Sequence, residues 1–266
     1  MCLIVLAWKS SPGTLLAVAA NRDEFFARRT APAAWWADAP DVLAGRDLEA
    51  GGTWLGVTRR GRFAALTNFR DATAPKKDGA PSRGTLAADF LRGNAPSADY
   101  VAAVRPRAGR YHGFNLLVSD GGELWSFSNV EGDPERLPAG VWGLSNHLLE
   151  TPWPKVTAAR SRLEAAIGEA DAESLERRLL ALLEDRKPAP EAELPATGLP
   201  PDWERALSAA FVALPGYGTR ASTALVVGAD GTARFTERTF GPRGVPLGEV
   251  RETFEVRRAR RLLESV

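Results

Sequence analysis

Residues 1–25 read MCLIVLAWKSSPGTLLAVAANRDEF, and the fold prediction starts from their pattern. Two apolar runs flank the turn KSSPG, which is the pattern of an antiparallel β-hairpin. The arrangement recurs in GTWLGVTRRGRFAALTNF (52–69), GFNLLVSDGGELWSFSN (113–129) and STALVVGADGTARFTER (222–238). Repeated hairpins with glycine-containing turns predict antiparallel sheets.

Helices are predicted between the hairpins. The apolar spacing within Ser82–Gly93 predicts one helix, and two further apolar stripes begin at Pro154 and after Asp171, a good N-cap residue. The proline-rich segment 187–203 has no apolar periodicity and predicts a long surface loop. The order of elements predicts an α+β fold in one domain spanning 1–266, with two antiparallel sheets packed together and covered by helices.

Composition excludes several classes of partner. The 266 residues carry 34 Lys and Arg against 33 Asp and Glu, a formal charge of +1, so no global field favours nucleic acid or an anionic membrane. The apolar run LIVLA is too short to span a bilayer, which predicts no integral membrane segment. A single cysteine cannot form an intrachain disulfide, so we expect a reducing, cytoplasmic compartment.

That cysteine, Cys2, has a specific chemical opportunity. Removal of Met1 would place its thiol and a free α-amine on the same carbon. An α-amine has a reference pKa of about 7.7–8.0, so it could take the thiol proton near neutral pH without a histidine. The alternative interpretation is a small apolar residue buried at the start of the first strand, the usual place of a free cysteine.

A polar cluster ends the second apolar run. Strand alternation predicts that Asn21 and Asp23 face one side, with Arg22 and Glu24 on the other. Asp23 could then orient an amine or a substrate beside Cys2. The alternative is a strand-ending ion-pair cluster, which contributes little to stability.

Several ordered blocks carry a resemblance to a known family. AANRDEF, GGTWLG, ALTNF, GFNLL, WGLSNHLLETPW and PGYGTR closely resemble the NRDE family, also called the transport and Golgi organisation protein 2 family. The resemblance spans nearly the whole chain. It implies an N-terminal-nucleophile hydrolase fold, a four-layer αββα sandwich. It also implies a link to haem mobilisation and to lipid or acyl-CoA homeostasis.

The chain is more distantly similar to the choloylglycine hydrolase and penicillin V acylase group. That similarity implies Cys2 as nucleophile, Asp23 as the residue that holds its amine, and Asn68 and Asn146 as hydrogen-bond donors to the oxyanion. Arg220 matches the group's late arginine, and Asn21 its Asn-x-Asp segment. Ala20 stands where the group has its first arginine, and Arg22 is the residue that could compensate. The implied reaction is hydrolysis of a non-peptide C–N amide bond, which requires no cofactor.

The ligand is left open between two classes. Aromatic residues near the polar cluster, including Phe25 and Trp36, could line a pocket for an acyl chain, a steroid-like ring or a porphyrin, although core packing is the commoner place of such residues. Tyr217 could join them. A small-molecule amide is the expected partner of a hydrolase, and haem or acyl-CoA that of a non-catalytic carrier. Cys2, His147 and Tyr217 are conceivable haem ligands, and no structural metal is expected.

Overall fold

The protein is described here by a computed structural model covering residues 2–75, 77–168 and 171–257. Two antiparallel sheets pack face to face, and each carries helices on its outer face. The predicted four-layer αββα sandwich is therefore confirmed. Within the described residues, no helix is both long and apolar enough to cross a membrane.

The first sheet carries the N-terminal hairpin at its centre. Its strands, in spatial order, are β10 (Gly140–Leu144), β1 (Cys2–Ser11), β2 (Thr14–Phe25), β11 (Tyr217–Gly228), β12 (Thr232–Phe240) and β13 (Pro246–Glu255). The pairing of β1 with β2 sets Cys2 opposite Arg22, and β2 in turn pairs with β11. The hairpins predicted at both ends of the chain are thus confirmed and joined in one sheet.

The second sheet follows chain order from edge to edge. It comprises β3 (Thr30–Trp36), β4 (Ala39–Asp47), β5 (Leu55–Thr58), β6 (Phe63–Asn68), β7 (Phe114–Ser119), β8 (Leu124–Ser128) and β9 (Glu135–Leu137). The predicted hairpins β5–β6 and β7–β8 are confirmed. Two register shifts interrupt the pairing of β3 with β4. Proline is tolerated in a strand where the ladder is broken, and Pro32 lies at one of these shifts.

Helices cover the two outer faces. They are α1 (Gly84–Arg92) and α2 (Ser97–Val104) on the second sheet, α3 (Pro154–Ile167) and α4 (Ala172–Leu182) on the first, and α5 (Pro201–Leu207). The side chain of Asp171 accepts hydrogen bonds from the backbone N–H groups of Glu173 and Ser174, which is the N-cap predicted for α4. Even-numbered β1 residues such as Ile4 and Leu6 fill the core between the sheets, while Leu3 and Val5 pack against α3 and α4.

The proline-rich segment corrects one prediction. Its last residues, from Pro201, begin α5, whereas the sequence predicts a loop through residue 203. Proline at the first helical position needs no N–H partner, so a run of prolines can begin a helix as well as prevent one. The segment is also held in place, because Thr197 donates from its backbone and its hydroxyl to Glu204 Oε1, at 2.8 and 2.5 Å.

Candidate active site

The first residue of β1 lies at the junction of the two sheets. Cys2 is 9% exposed and shares the inter-sheet face with Arg22, its partner in register. Its sulfur accepts a hydrogen bond from the backbone N–H of Asp23, while burial, the larger effect, raises the pKa of the thiol. A buried thiol of this kind is protonated at neutral pH, so nucleophilic use of Cys2 requires a base beside it.

Asn146 connects the nitrogen of Cys2 to the end of β6. The side-chain Oδ1 of Asn146 accepts a hydrogen bond of 2.9 Å from the backbone nitrogen of Cys2, and its Nδ2 donates to the carbonyl of Asn68 at 2.8 Å. Ser145 donates its hydroxyl to the carbonyl of Cys2 at 2.7 Å. Asn146 is fully buried, so this bridge fixes the position of the Cys2 nitrogen without help from bulk water.

Asp23 lies beside Cys2 on the face of β2 that looks towards α3 and α4. Its Oδ1 accepts a hydrogen bond of 2.7 Å from the hydroxyl of Thr219, and its backbone carbonyl accepts one of 3.0 Å from Tyr217. Burial is the largest influence on its carboxyl and raises the pKa, while the nearby Lys155 ammonium opposes that effect. Asp23 is thus a buried acid held in a fixed orientation, with its side chain on the opposite face of the sheet from the thiol that its backbone N–H contacts.

The predicted alternation along β2 is confirmed, with Asn21 and Asp23 on the side of α3 and α4 and Arg22 on the inter-sheet side. Asn21 is buried on the α3 and α4 side, where its Nδ2 donates to the carbonyls of Leu183 and Ala210 at 2.9 and 2.8 Å. Its Oδ1 accepts a hydrogen bond of 2.6 Å from Ser222. These bonds anchor the chain segments around α4 and α5 to β2, and they leave Asn21 away from the pocket predicted to bind substrate.

A small polar pocket opens beside the thiol of Cys2. It encloses about 120 Å³, and its lining residues include Arg22, Asp23, Glu24, Arg28, Asp47, Trp54, Asn68 and Arg83. Arg28 is paired with Asp47 at 2.6 Å, whereas Arg83 donates to the carbonyl of Gly113 at 3.1 Å. The pocket therefore brings Cys2, Asp23 and Asn68 together with several charged groups.

The remaining predicted residues lie elsewhere. Trp36 is buried between the second sheet and its helices, and its Nε1 donates to the carbonyl of Ala44 at 3.0 Å, so the interpretation as a pocket residue is wrong. Arg220 donates through one nitrogen to the carbonyls of the turn after β2 and lines a neighbouring cavity, not the pocket around Cys2. Phe25 and Tyr217 pack edge to face, with ring centroids 4.9 Å apart, in an apolar cleft on the opposite side of β2.

Two buried charged groups near the site were missed from the sequence. Lys155, near the start of α3, donates to the carbonyl of Leu207 at 2.9 Å, and burial lowers the pKa of its ammonium to about 8. Arg70, two residues after Asn68, pairs with Glu204 at 3.2 Å, with both side chains almost fully buried. Neither residue belongs to a recognised motif. Their partners, Leu207 and Glu204, lie on distant segments of the chain, so the sequence gives no local signal for either contact.

Among the residues described, no three side chains of the His, Cys, Asp or Glu type are grouped so that they could hold an ion. His147 instead contacts Thr151 through Nδ1 at 2.9 Å and packs against the rings of Phe69 and Trp153.

Two solved structures are similar to the chain. One is an N-acylethanolamine-hydrolysing acid amidase orthologue from Caenorhabditis elegans, with 12% identity and a TM-score of 0.48, covering 66% of this chain and 85% of that one. The other is a mutant of the conjugated bile acid hydrolase from Clostridium perfringens, with 9% identity and a TM-score of 0.44, covering 95% and 92%.

Sequence relatives are much closer. A family profile described as Transport and Golgi organisation 2 matches residues 1–242. The human Transport and Golgi organization protein 2 homolog is 36% identical, covering 96% of this chain and 98% of that protein, and its Bos taurus counterpart is 36% identical over 90% and 93%. The Drosophila melanogaster protein is 32% identical over 90% and 92%. This chain belongs to the Transport and Golgi organisation 2 family.

Proposed function

We propose that the protein is an N-terminal-nucleophile-type hydrolase that cleaves a non-peptide C–N amide bond with Cys2 as nucleophile. The observation that carries this proposal is the hydrogen bond of 2.9 Å from the Cys2 nitrogen to Oδ1 of Asn146. It fixes that nitrogen on the same residue that carries the sulfur. Since a buried thiol needs an adjacent base, a nitrogen held beside that thiol supports this chemistry.

The reaction begins once Met1 is removed and the Cys2 nitrogen becomes an α-amine. Sγ forms a bond to the carbonyl carbon while its proton passes to that amine. Collapse of the tetrahedral intermediate breaks the C–N bond, and the proton leaves on the departing amine. Water then cleaves the thioester, which releases a carboxylic acid and restores the thiol. Asp23 and Asn146 orient the α-amine throughout.

Negative charge develops on the substrate oxygen and needs hydrogen-bond donors. Asn68 lines the pocket beside Cys2. Asn146 uses one of its two amide protons for the carbonyl of Asn68, which leaves the second for the oxyanion. The amide of Asn146 is held by its hydrogen bonds to Cys2 and Asn68 before the reaction, which is the condition for effective stabilisation of the transition state.

The test is the intact mass of purified untagged protein, taken before and after reaction with a thiol-reactive acylating probe. The expected result is loss of Met1 and a single adduct that is absent from Cys2→Ala. A panel of small amides is then screened for hydrolysis, again with Cys2→Ala as the control. Retention of Met1 together with an unreactive thiol would overturn the proposal.

A non-catalytic carrier of haem or of an acyl-CoA or lipid is the second candidate. It is favoured by the apolar cleft of about 290 Å³ that contains Phe25, Trp203, Leu214 and Tyr217, in which Phe25 is 54% exposed. Titration with haem tests it through the Soret band. A stoichiometric band shift that Phe25→Ser weakens is expected of a carrier, and an unchanged spectrum of free haem would refute haem binding.

A further inference from the structure

A second cavity adjoins the pocket around Cys2. It encloses about 260 Å³, and its lining includes Arg22, Thr30, Pro32, Trp54, Arg220 and Glu237. Arg22 and Trp54 also line the Cys2 pocket, so the two spaces share these side chains. The guanidinium of Arg22 stacks on the indole of Trp54, 4.3 Å from its ring centroid.

Arg22 is a buried cation with long polar contacts. It is 7% exposed, yet it reaches the Thr30 hydroxyl only at 3.4 Å and the Glu24 carboxylate only at 3.7 Å. A buried charge is stabilised by short hydrogen bonds to a partner of opposite charge, and contacts of this length provide little of that. The guanidinium can therefore donate shorter hydrogen bonds to an anionic ligand in the cavity.

Arg220 supplies a second guanidinium to the same cavity. One of its nitrogens donates to the carbonyls of Phe25 and Arg28, at 3.0 and 2.8 Å, which fixes the side chain in place. Burial lowers the pKa of Arg220, and the positive charge of Arg22 lowers it further. Among the residues that the structure describes, no carboxylate oxygen lies within 4.0 Å of this guanidinium.

We propose that this cavity binds a carboxylate carried by the substrate, between the guanidinium groups of Arg22 and Arg220. Arginine binds carboxylates through two parallel hydrogen bonds, and a pair of fixed arginines favours an anion over a neutral group. The proposal gives a substrate class, a compact amide bearing a carboxylate, to the proposed hydrolase, and it rests on that function for its catalytic meaning. The Cys2 pocket, at about 120 Å³, has room for the reacting amide group.

Glu237 makes this binding depend on pH. It is 1% exposed and accepts a hydrogen bond of 2.6 Å from the backbone N–H of Ala33, and burial raises the pKa of its carboxyl to about 7. The charged groups that share the cavity with it are Arg22 on β2 and Arg220 on β11, and the Thr223 hydroxyl on β11 donates to its carboxylate at 3.5 Å. Above neutral pH the Glu237 carboxylate repels the ligand, and below it the neutral acid can donate a hydrogen bond to the ligand instead. Binding is therefore expected to tighten as the pH falls through 7.

Titration with sodium butyrate tests the site, with 1-butanol as the neutral probe of similar size. The readout is the indole N–H signal of Trp54 in a ¹H–¹⁵N NMR spectrum, assigned with Trp54→Phe. Wild type and Cys2→Ala are both titrated, so the result does not depend on hydrolysis. We expect saturable shifts with butyrate in both proteins, and an affinity roughly tenfold higher at pH 6 than at pH 8.

Three variants locate the interaction. Arg220→Gln is expected to weaken butyrate binding by roughly tenfold or more, since it removes a charge-assisted hydrogen bond. Arg177→Gln, at an exposed position on α4, is the matched control. Glu237→Gln keeps an acceptor for the Ala33 N–H and is expected to abolish the pH dependence while leaving the fold intact.

Several outcomes would overturn the carboxylate site. These are the absence of a saturable shift at Trp54, equal binding of butanol, or equal affinities for Arg220→Gln and Arg177→Gln. Preferential binding of butylammonium would also overturn it, because the cavity would then recognise a cation through Glu237. An unreactive Cys2 with intact butyrate binding would instead refute the hydrolase while leaving the anion site in place.

Discussion

Replacing Asn146 by alanine removes the bridge between the Cys2 nitrogen and the end of β6. The substitution deletes the acceptor of the 2.9 Å bond from Cys2 and the donor of the 2.8 Å bond to the Asn68 carbonyl. Because Asn146 has no exposed surface, bulk water cannot simply replace its amide. Both stability and catalysis are therefore expected to fall.

The magnitude follows from the two groups left without a partner. Each buried polar group that loses its hydrogen bond costs about 1–3 kcal/mol, so the free energy of unfolding is expected to fall by about 2–6 kcal/mol. Loss of one oxyanion donor reduces turnover by roughly 10²–10³-fold in enzymes of this chemical type. Asn146→Asp keeps the acceptor for Cys2 and loses the donor, so it separates the two contributions.

The assay combines urea unfolding with the rate of Cys2 alkylation and of amide hydrolysis. Asn146→Asp is expected to lose turnover with Cys2 alkylation close to wild type, whereas Asn146→Ala is expected to lose both. If Asn146→Ala lowers the free energy of unfolding by less than about 1 kcal/mol and leaves the alkylation rate unchanged, the Asn146 bridge does not position Cys2.

Three further outcomes are expected. The pKa of buried Lys155 is lowered to about 8, so between pH 8 and 10.5 this lysine holds its proton in the unfolded chain and not in the folded one. The contribution of Lys155 to stability therefore rises with pH over that range by an amount of order 3 kcal/mol. Lys155→Met is expected to lose this rise, which urea unfolding at a series of pH values measures. Arg70→Met leaves Glu204 buried without its cation and is expected to cost about 3–5 kcal/mol, and the double variant Arg70→Met/Glu204→Gln should recover part of it in the same assay. Asp171→Ala removes the α4 N-cap and is expected to cost about 1 kcal/mol, measured as a lower melting temperature; an unchanged value would show that α4 needs no cap.

Local patterns were sufficient for much of the fold. The hairpins around KSSPG and GADG were predicted because a turn and its two flanking apolar runs lie next to each other in the chain. The N-cap at Asp171 is local in the same sense. Strand β3 was missed because TAPAAWW contains a proline and small residues rather than an alternating apolar pattern. Its pairing depends on β4, and its register shifts accommodate Pro32.

The residues of the candidate site also include some that the sequence indicated and some that only the structure reveals. Family resemblance pointed to Asn146, yet its contact with Cys2 spans 144 positions of the chain, so only the pairing of β1 with β10 shows that the two meet. The same resemblance pointed to Arg220, which the structure places at the neighbouring cavity. Lys155 left no signal in the sequence because a buried lysine is recognised by what surrounds it.

Local sequence patterns were enough to predict the antiparallel hairpins, helices α1, α3 and α4, and the position of a lone cysteine at the start of the first strand. These features depend on residues close together in the chain, where turn chemistry and apolar periodicity act directly. The side chains that surround Cys2 depend on contacts between distant segments, because strand register sets Arg22 opposite Cys2 and brings β11 and β12 alongside. Burial then changed the chemistry of Asp23, Lys155 and Glu237, since removing a charged group from water shifts its pKa in a way that no residue type specifies alone.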